Sequence, residues 1–337
     1  MTGAGKFRLP GFGLLAVLAV SVWALAGGAV ASANTITVGS VLPPGPTSKP
    51  VGEIDTFLNT ALPEKGANLT SPVSGVVVRW RLQGAKGGPF YLRVLRPNGL
   101  GAYTALGKSD PATVTSAGLQ TFTTNLPIKA GDVLGVEPTN AADELGYSTA
   151  AGAAFTTIFP TPFEGATVPA RAPTSGEEIE LSAEVQPTPT VTSVSPSRGS
   201  VAGGTEVKIT GADFTSASAV KFGTLTAATF KVESDSEIVA TTPKSSKVST
   251  VDVTVTTLAG TSPTARGDRF TYLGCVIPKL KKKKLGKAED MIRRAGCKVG
   301  KLTVRHGVTR KTGKVVSQGP AGGKVVPRGT KVNVKLG

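Results

Sequence analysis

The 337-residue chain carries 38 Lys plus Arg, 22 Asp plus Glu and a single His, and hydrophobic residues make up 39% of it. That apolar share rules against a disordered chain, and the length points to two or three domains. One His (His306) and two Cys (Cys275, Cys297) argue against a His-based catalytic triad, a His-ligated zinc centre and a Cys-rich metal site, so no metal or cofactor is expected.

The net charge of +16 has a location. Between Cys275 and Gly337 there are 18 Lys plus Arg against two acids, Glu289 and Asp290, so this segment holds the whole excess. The chain is a neutral body with a strongly basic C-terminal module.

Residues 1–33 read as an export signal. Lys6 and Arg8 give a positive start, Leu14 to Val22 is an apolar run, and Ala31-Ser32-Ala33 is an A-x-A cleavage pattern. The alternative is a retained anchor, because no charge occurs between Pro10 and Ala33. Either reading places the rest of the protein outside the cytoplasm, secreted or at the cell surface. There a Cys275–Cys297 disulfide is chemically sensible.

Residues 34–186 read as all-β, a sandwich or jelly roll. Val76 to Leu82 ends in alternation, Phe90 to Arg96 alternates as a half-buried strand does, and Pro97-Asn98-Gly99 turns the chain. Leu119 to Leu126 and Asp132 to Glu137 continue the pattern across a turn at Lys129 to Asp132, and Ile179 to Val185 reads as the last strand. Trp80, Tyr91 and Tyr103 could form a sugar-stacking platform, but core or half-buried sheet positions suit them better. Glycoside hydrolysis needs two opposed carboxylates. Asp132, Glu137, Asp143 and Glu144 are the candidates, and their spacing singles out no pair, so solvated loop positions are expected and no catalytic residue is assigned.

Gln186-Pro187-Thr188-Pro189-Thr190 is an extended joint, with the linker proper at 187–189. Residues 190–272 are a second β-module. Val194-Ser195-Pro196, Gly203-Gly204-Thr205-Glu206-Val207-Lys208-Ile209-Thr210-Gly211, Asp213-Phe214, Val220-Lys221-Phe222-Gly223 and Ile238 to Pro243 occur in order. This succession resembles IPT/TIG domains, which implies an immunoglobulin-like sandwich used as a spacer or interaction module. Alternation in Val207/Ile209 and in Val251/Val253/Val255 agrees, giving each strand one apolar face.

Residues 275–337 hold a helical stripe, Leu285, Ala288, Met291, Ile292 and Ala295, with Glu289–Arg293 and Asp290–Arg294 at favourable i,i+4 spacing and Gly296 placed to end the helix. Val276-Ile277-Pro278, Val315-Val316-Ser317-Gln318-Gly319-Pro320, Lys324-Val325-Val326-Pro327 and Val332-Asn333-Val334 surround it. The module resembles PASTA domains of penicillin-binding proteins and bacterial serine/threonine kinases. The resemblance implies a helix on a three-stranded sheet, with Cys275 beginning the first strand and Cys297 the next. It also implies association with peptidoglycan stem peptides.

Lys279, the tract Lys281, Lys282, Lys283, Lys284, and Lys287 make a dense cationic patch for anionic wall polymers, in a flexible approach to the helix. Nucleic acid is not expected, since no Phe, Trp or Tyr lies between Cys275 and Gly337 to stack on bases. A membrane partner is expected only if the signal stays as an anchor. The sequence thus points to a non-enzymatic envelope protein. The alternative is a glycan-binding or glycan-active protein whose active part is residues 34–186.

Overall fold

The computed structural model describes residues 34–116 and 118–337. The export signal expected at 1–33 lies outside these residues. Among the described residues, no helix is long and apolar enough to cross a membrane.

The N-terminal module is a two-sheet sandwich. The smaller sheet has the strand order Ile36–Gly39, Leu181–Pro187, Gly75–Leu82, Gln120–Ile128. The larger has eight strands, with Tyr91–Pro97, Val133–Glu137, Thr56–Ala61 and the 15-residue Glu144–Ile158 at its centre. Val38, Val77, Trp80, Leu82, Ala183 and Val185 of one sheet meet Phe57, Leu92, Val94, Val136, Leu145 and Tyr147 of the other in one core. Alternation supplies these inward sets, because successive side chains on a strand point to opposite faces.

Two expectations change here. Tyr91–Pro97 is not half-wet: Leu92 and Val94 face the main core, while Leu95 joins Leu58, Ala105, Val133 and Ile158 in a second buried cluster. The strand is central in its sheet, and the second cluster covers its other face. The expected last strand is also two strands. Thr174–Ile179 belongs to the larger sheet, Leu181–Pro187 to the smaller, and Glu180 is the crossing residue.

The second module is an immunoglobulin-like sandwich. Thr190–Ser195, Glu206–Ala212, Glu237–Thr241 and Thr229–Ser234 form one sheet. Arg198–Ser200, Arg269–Val276, Thr250–Thr257 and Ala219–Phe222 lead the other. Val207, Ile209 and Ile238 pack on Val220, Val253 and Val255, with Phe222, Phe270 and Tyr272 stacked edge to face at 5.1–5.2 Å. Gly203 and Gly204 take φ of +79° and +78° ahead of Glu206–Ala212, the left-handed turn their lack of Cβ permits.

The third module packs the helix Leu285–Arg294 (α1) on a three-stranded sheet of Lys298–Val304, Lys331–Leu336 and Val315–Gly319. Ala288 and Ile292 of α1 are buried among Ile277, Leu280, Val315, Val332, Val334 and Leu336. Gly296, at φ +77°, ends α1, and the Cys297 amide donates back to the Ile292 carbonyl at 3.1 Å. Cys275 and Cys297 are disulfide-bonded with Cα atoms 5.5 Å apart.

Two local expectations differ. Cys275 does not begin a strand; it lies near the end of Arg269–Val276, which starts in the immunoglobulin-like module. Val325–Pro327 of the basic module adds to the end of that same strand, pairing Val326 with Cys275. Asp290 pairs with Arg293 at 3.8 Å rather than with Arg294, so Arg293 bridges Asp290 and Glu289.

Candidate functional site: a cationic, two-part depression on the basic module

The strand Val315–Gly319 is central to the candidate site. Gln318 faces the segment that leads to the helix. Its Oε1 accepts from the Leu280 amide at 2.7 Å, and its Nε2 donates to the Pro278 and Pro320 carbonyls at 2.9 and 3.3 Å. The amide side chain therefore fixes three backbone segments at once. Around it lie two shallow depressions sharing Ser317 and Gln318. The first, about 370 Å³, has Leu280, Val316, Ala321 and Gly322 as its apolar floor and Lys279 and Lys281 at its rim. Gly322 admits Lys279 closely; a Cβ there would stand 2.8 Å from the lysine side chain. The second, about 300 Å³, is polar, lined by Thr303, Asn333, Lys301 and Lys335. Asn333 Oδ1 accepts from the Lys301 amide at 2.7 Å, which sets the local register of the two parallel strands.

An apolar depression with two ammonium groups, joined at Ser317 and Gln318 to a polar one with two more, suits an extended chain with anionic groups near both ends. Among the described residues, Lys279, Lys281, Lys301 and Lys335 take part in no ion pair; the ion pairs of this module are those of Arg293 on α1. Their charge is free to act on a partner.

The structure brings only part of the sequence-read patch together. Lys279 and Lys281 share the first depression, while Lys282, Lys283, Lys284 and Lys287 line neither. Nor is the tract flexible. The Lys282 amide donates to the Val315 carbonyl at 2.8 Å, and the Val315 amide to the Lys283 carbonyl at 2.9 Å. Lys282 sits in the left-handed region at φ 67°, and Lys284 bridges to Lys314. Backbone pairing to the edge of the sheet fixes four lysines on a tight turn. Lys287 is exposed on the first turns of α1. Sequence reading missed Lys301, Lys335, Ser317, Gln318 and Asn333. The outward alternation Lys331-x-Asn333-x-Lys335 carried a signal for one row, but the neighbouring rows come from strands far apart in sequence.

In the N-terminal module the four candidate carboxylates have structural partners. Asp132 accepts Arg96 Nε and Nη2 at 2.8 and 3.0 Å, and this pairing holds the Arg96 guanidinium above its ordinary value. Glu137 accepts Arg93 Nε at 2.6 Å, with Lys108 at 3.4 Å. Asp143 accepts the Gly88, Thr139 and Asn140 amides at 2.8–3.1 Å. Glu144 pairs with Lys86 at 2.7 Å. Asp132, Glu137 and Asp143 are buried, contrary to the solvated loop positions expected, because arginines and turn amides compensate their charge. Trp80 is 1% exposed on the smaller sheet, 4.7 Å from Phe122, while Tyr91 and Tyr103 stand on the larger sheet. Lys108 sits 4.2 Å from the Tyr91 ring centroid. Burial alone raises the Tyr103 hydroxyl. Among the described residues, no group of three His, Cys, Asp or Glu side chains is placed to hold a metal ion.

No curated protein matches the chain. Among solved structures, the plexin A4 full extracellular region aligns with it at 19% identity and a TM-score of 0.24, over 73% of this chain and 19% of that one. Family models match two stretches: residues 189–272 match the IPT/TIG domain and residues 276–337 the PASTA domain. Both are interaction domains without catalytic machinery, and with the Cys275–Cys297 bridge they point to an extracellular or cell-envelope protein. The chain thus carries, after an N-terminal β-sandwich, an IPT/TIG domain followed by a PASTA domain.

Proposed function

We propose that this is a non-enzymatic, exported envelope protein whose PASTA module holds anionic wall polymers, with peptidoglycan as the partner. The two sandwiches act as spacer and interaction domains. The observation that carries the reading is the cationic rim of the two depressions, Lys279, Lys281, Lys301 and Lys335, in a module that holds the whole net charge of +16. PASTA domains are associated with peptidoglycan, and peptidoglycan stem peptides carry carboxylates. The fixed turn Lys281–Lys284 adds long-range attraction, and the rimmed depressions add contact.

The test is sedimentation of the full chain with purified cell walls across a salt series. Binding should weaken steeply as the Debye length shrinks from about 10 Å at 0.1 M to about 3 Å at 1 M. Changing Lys281–Lys284 together to Gln should lower binding at low salt, and Lys301→Gln with Lys335→Gln should lower it further at each salt. Salt-insensitive binding, unchanged in both variants, would overturn the reading.

A further inference from the structure

Three carboxylates converge at the corner where the chain passes from one sheet of the N-terminal sandwich to the other. Glu178 is the next-to-last residue of the larger sheet's Thr174–Ile179, and Glu180 precedes the smaller sheet's Leu181–Pro187. Both are 0% exposed. Ser40, just past the first strand, donates its hydroxyl to Glu178 Oε1 at 2.6 Å and lies 3.5 Å from Glu180 Oε2. Ser148, from the long central strand, donates to Glu180 Oε1. Glu64, from the loop after Thr56–Ala61, adds its carboxyl beside Glu178. Glu178 Oε2 and Glu64 Oε2 are both buried without a hydrogen-bond partner.

The surrounding charges are already engaged. Lys49 pairs with Glu177, Arg79 and Arg81 pair with Glu184, and Lys86 pairs with Glu144. Lys65 is exposed. Tyr147 stays un-ionised, its hydroxyl pushed up by burial and by Glu177. Asn59 spends its amide on the backbone of Ile179. Among the described residues, no cation pairs with Glu64, Glu178 or Glu180. Buried carboxylates without a cation repel one another and lose hydration, and a bound proton removes both costs while supplying the donor that the orphaned oxygens lack.

We propose that Glu64, Glu178 and Glu180 form a proton-dependent clasp between the two sheets, closed when the cluster is protonated and loosened when it ionises. The position favours leverage. The Ser40 amide, just past Ile36–Gly39, donates to the Leu181 carbonyl at 2.8 Å, and Ile36–Gly39 pairs with Leu181–Pro187, which leads straight into the IPT/TIG module. Burial first, then the neighbouring carboxylates, push Glu178 up to about 7 and Glu180 up to about 8. Both stand above the ordinary value of 4.5. The stabilisation is therefore complete in acid below that value and is lost as pH rises through the folded values.

The experiment follows thermal unfolding of the full chain by Trp80 fluorescence, with Trp23→Phe so that Trp80 alone emits. The melting temperature should fall steadily from about pH 5 to about pH 9. A Glu178→Gln, Glu180→Gln double variant should flatten that slope and melt above the parent at the alkaline end; exposed Glu164→Gln should keep it. Should the double variant not fold, carboxyl carbon NMR of the parent decides: two glutamate midpoints near neutrality are expected, and all midpoints in the ordinary acidic range would overturn the clasp. A pH-independent parent, or restoration of the alkaline melting temperature by millimolar calcium, would also overturn it, the latter making a cation the neutralising partner.

Discussion

Arg93 and Glu137 show how a residue that invites a catalytic reading can be structural. The pair is buried, with side chains 5% and 10% exposed and 2.6 Å between Arg93 Nε and Glu137 Oε2. Removing Arg93 leaves the buried Glu137 with only the longer Lys108 contact at 3.4 Å, and breaking a buried pair in this way costs up to about 3–5 kcal/mol. Arg93→Met should therefore lower the stability of the N-terminal sandwich by that order, read as a shift in the denaturant midpoint of Trp80 fluorescence. Exposed Lys231 and Glu233 have a similar contact at 2.9 Å, yet Lys231→Met should move the midpoint of its own module by at most about 1 kcal/mol. The contrast isolates burial as the cause.

At the scale of the element, α1 shows its own stop signal and its anchor. Gly296 holds φ +77°, which an L side chain adopts only with strain, so Gly296→Ala should destabilise the PASTA module by about 1–2 kcal/mol. Ile292 is fully buried against the sheet, and Ile292→Ala should cost about 2–5 kcal/mol through lost burial and a residual cavity. The disulfide spans a sequence separation of 22 residues and encloses the helix. Replacing both cysteines with Ala should cost about 3 kcal/mol by the chain-entropy account, measured as the loss in denaturant midpoint between oxidised parent and variant. Thiol titration of the unfolded, unreduced chain should find no free thiol.

At the scale of the whole molecule, the shared strand Arg269–Val276 is decisive. The Leu273 carbonyl accepts the Val201 amide at 3.0 Å, and Leu273 pairs with Ser200, so the strand's last residues serve the IPT/TIG sheet. Its end also pairs with Val325–Pro327 of the PASTA module. A chain ended after Tyr272 should thus lose thermal stability in the IPT/TIG module, while one ended after Val276 should keep it. Comparing the two by thermal denaturation checks this, and the second is the better partner for the full chain in wall-binding experiments.

Much of the fold was legible in the sequence because local patterns carry it. Val207 and Ile209, or Val253 and Val255, alternate with polar residues, and the Leu285–Ala295 stripe repeats at three and four residues, so strand or helix follows from which face can be buried. The location of the charge was equally plain, since +16 in one segment needs only counting. Tertiary structure decided what depends on residues distant in sequence. It split the expected last strand at Glu180, covered both faces of Tyr91–Pro97, and buried Asp132 beside Arg96, 36 residues away. It also divided the lysine patch, keeping Lys279 and Lys281 at one depression and placing at the adjoining one Lys301 and Lys335, which come from strands that only the folded sheet makes neighbours. Sequence periodicity reports which way a side chain faces along its own element, whereas desolvation, ion pairing and site geometry are set by what the fold packs opposite it.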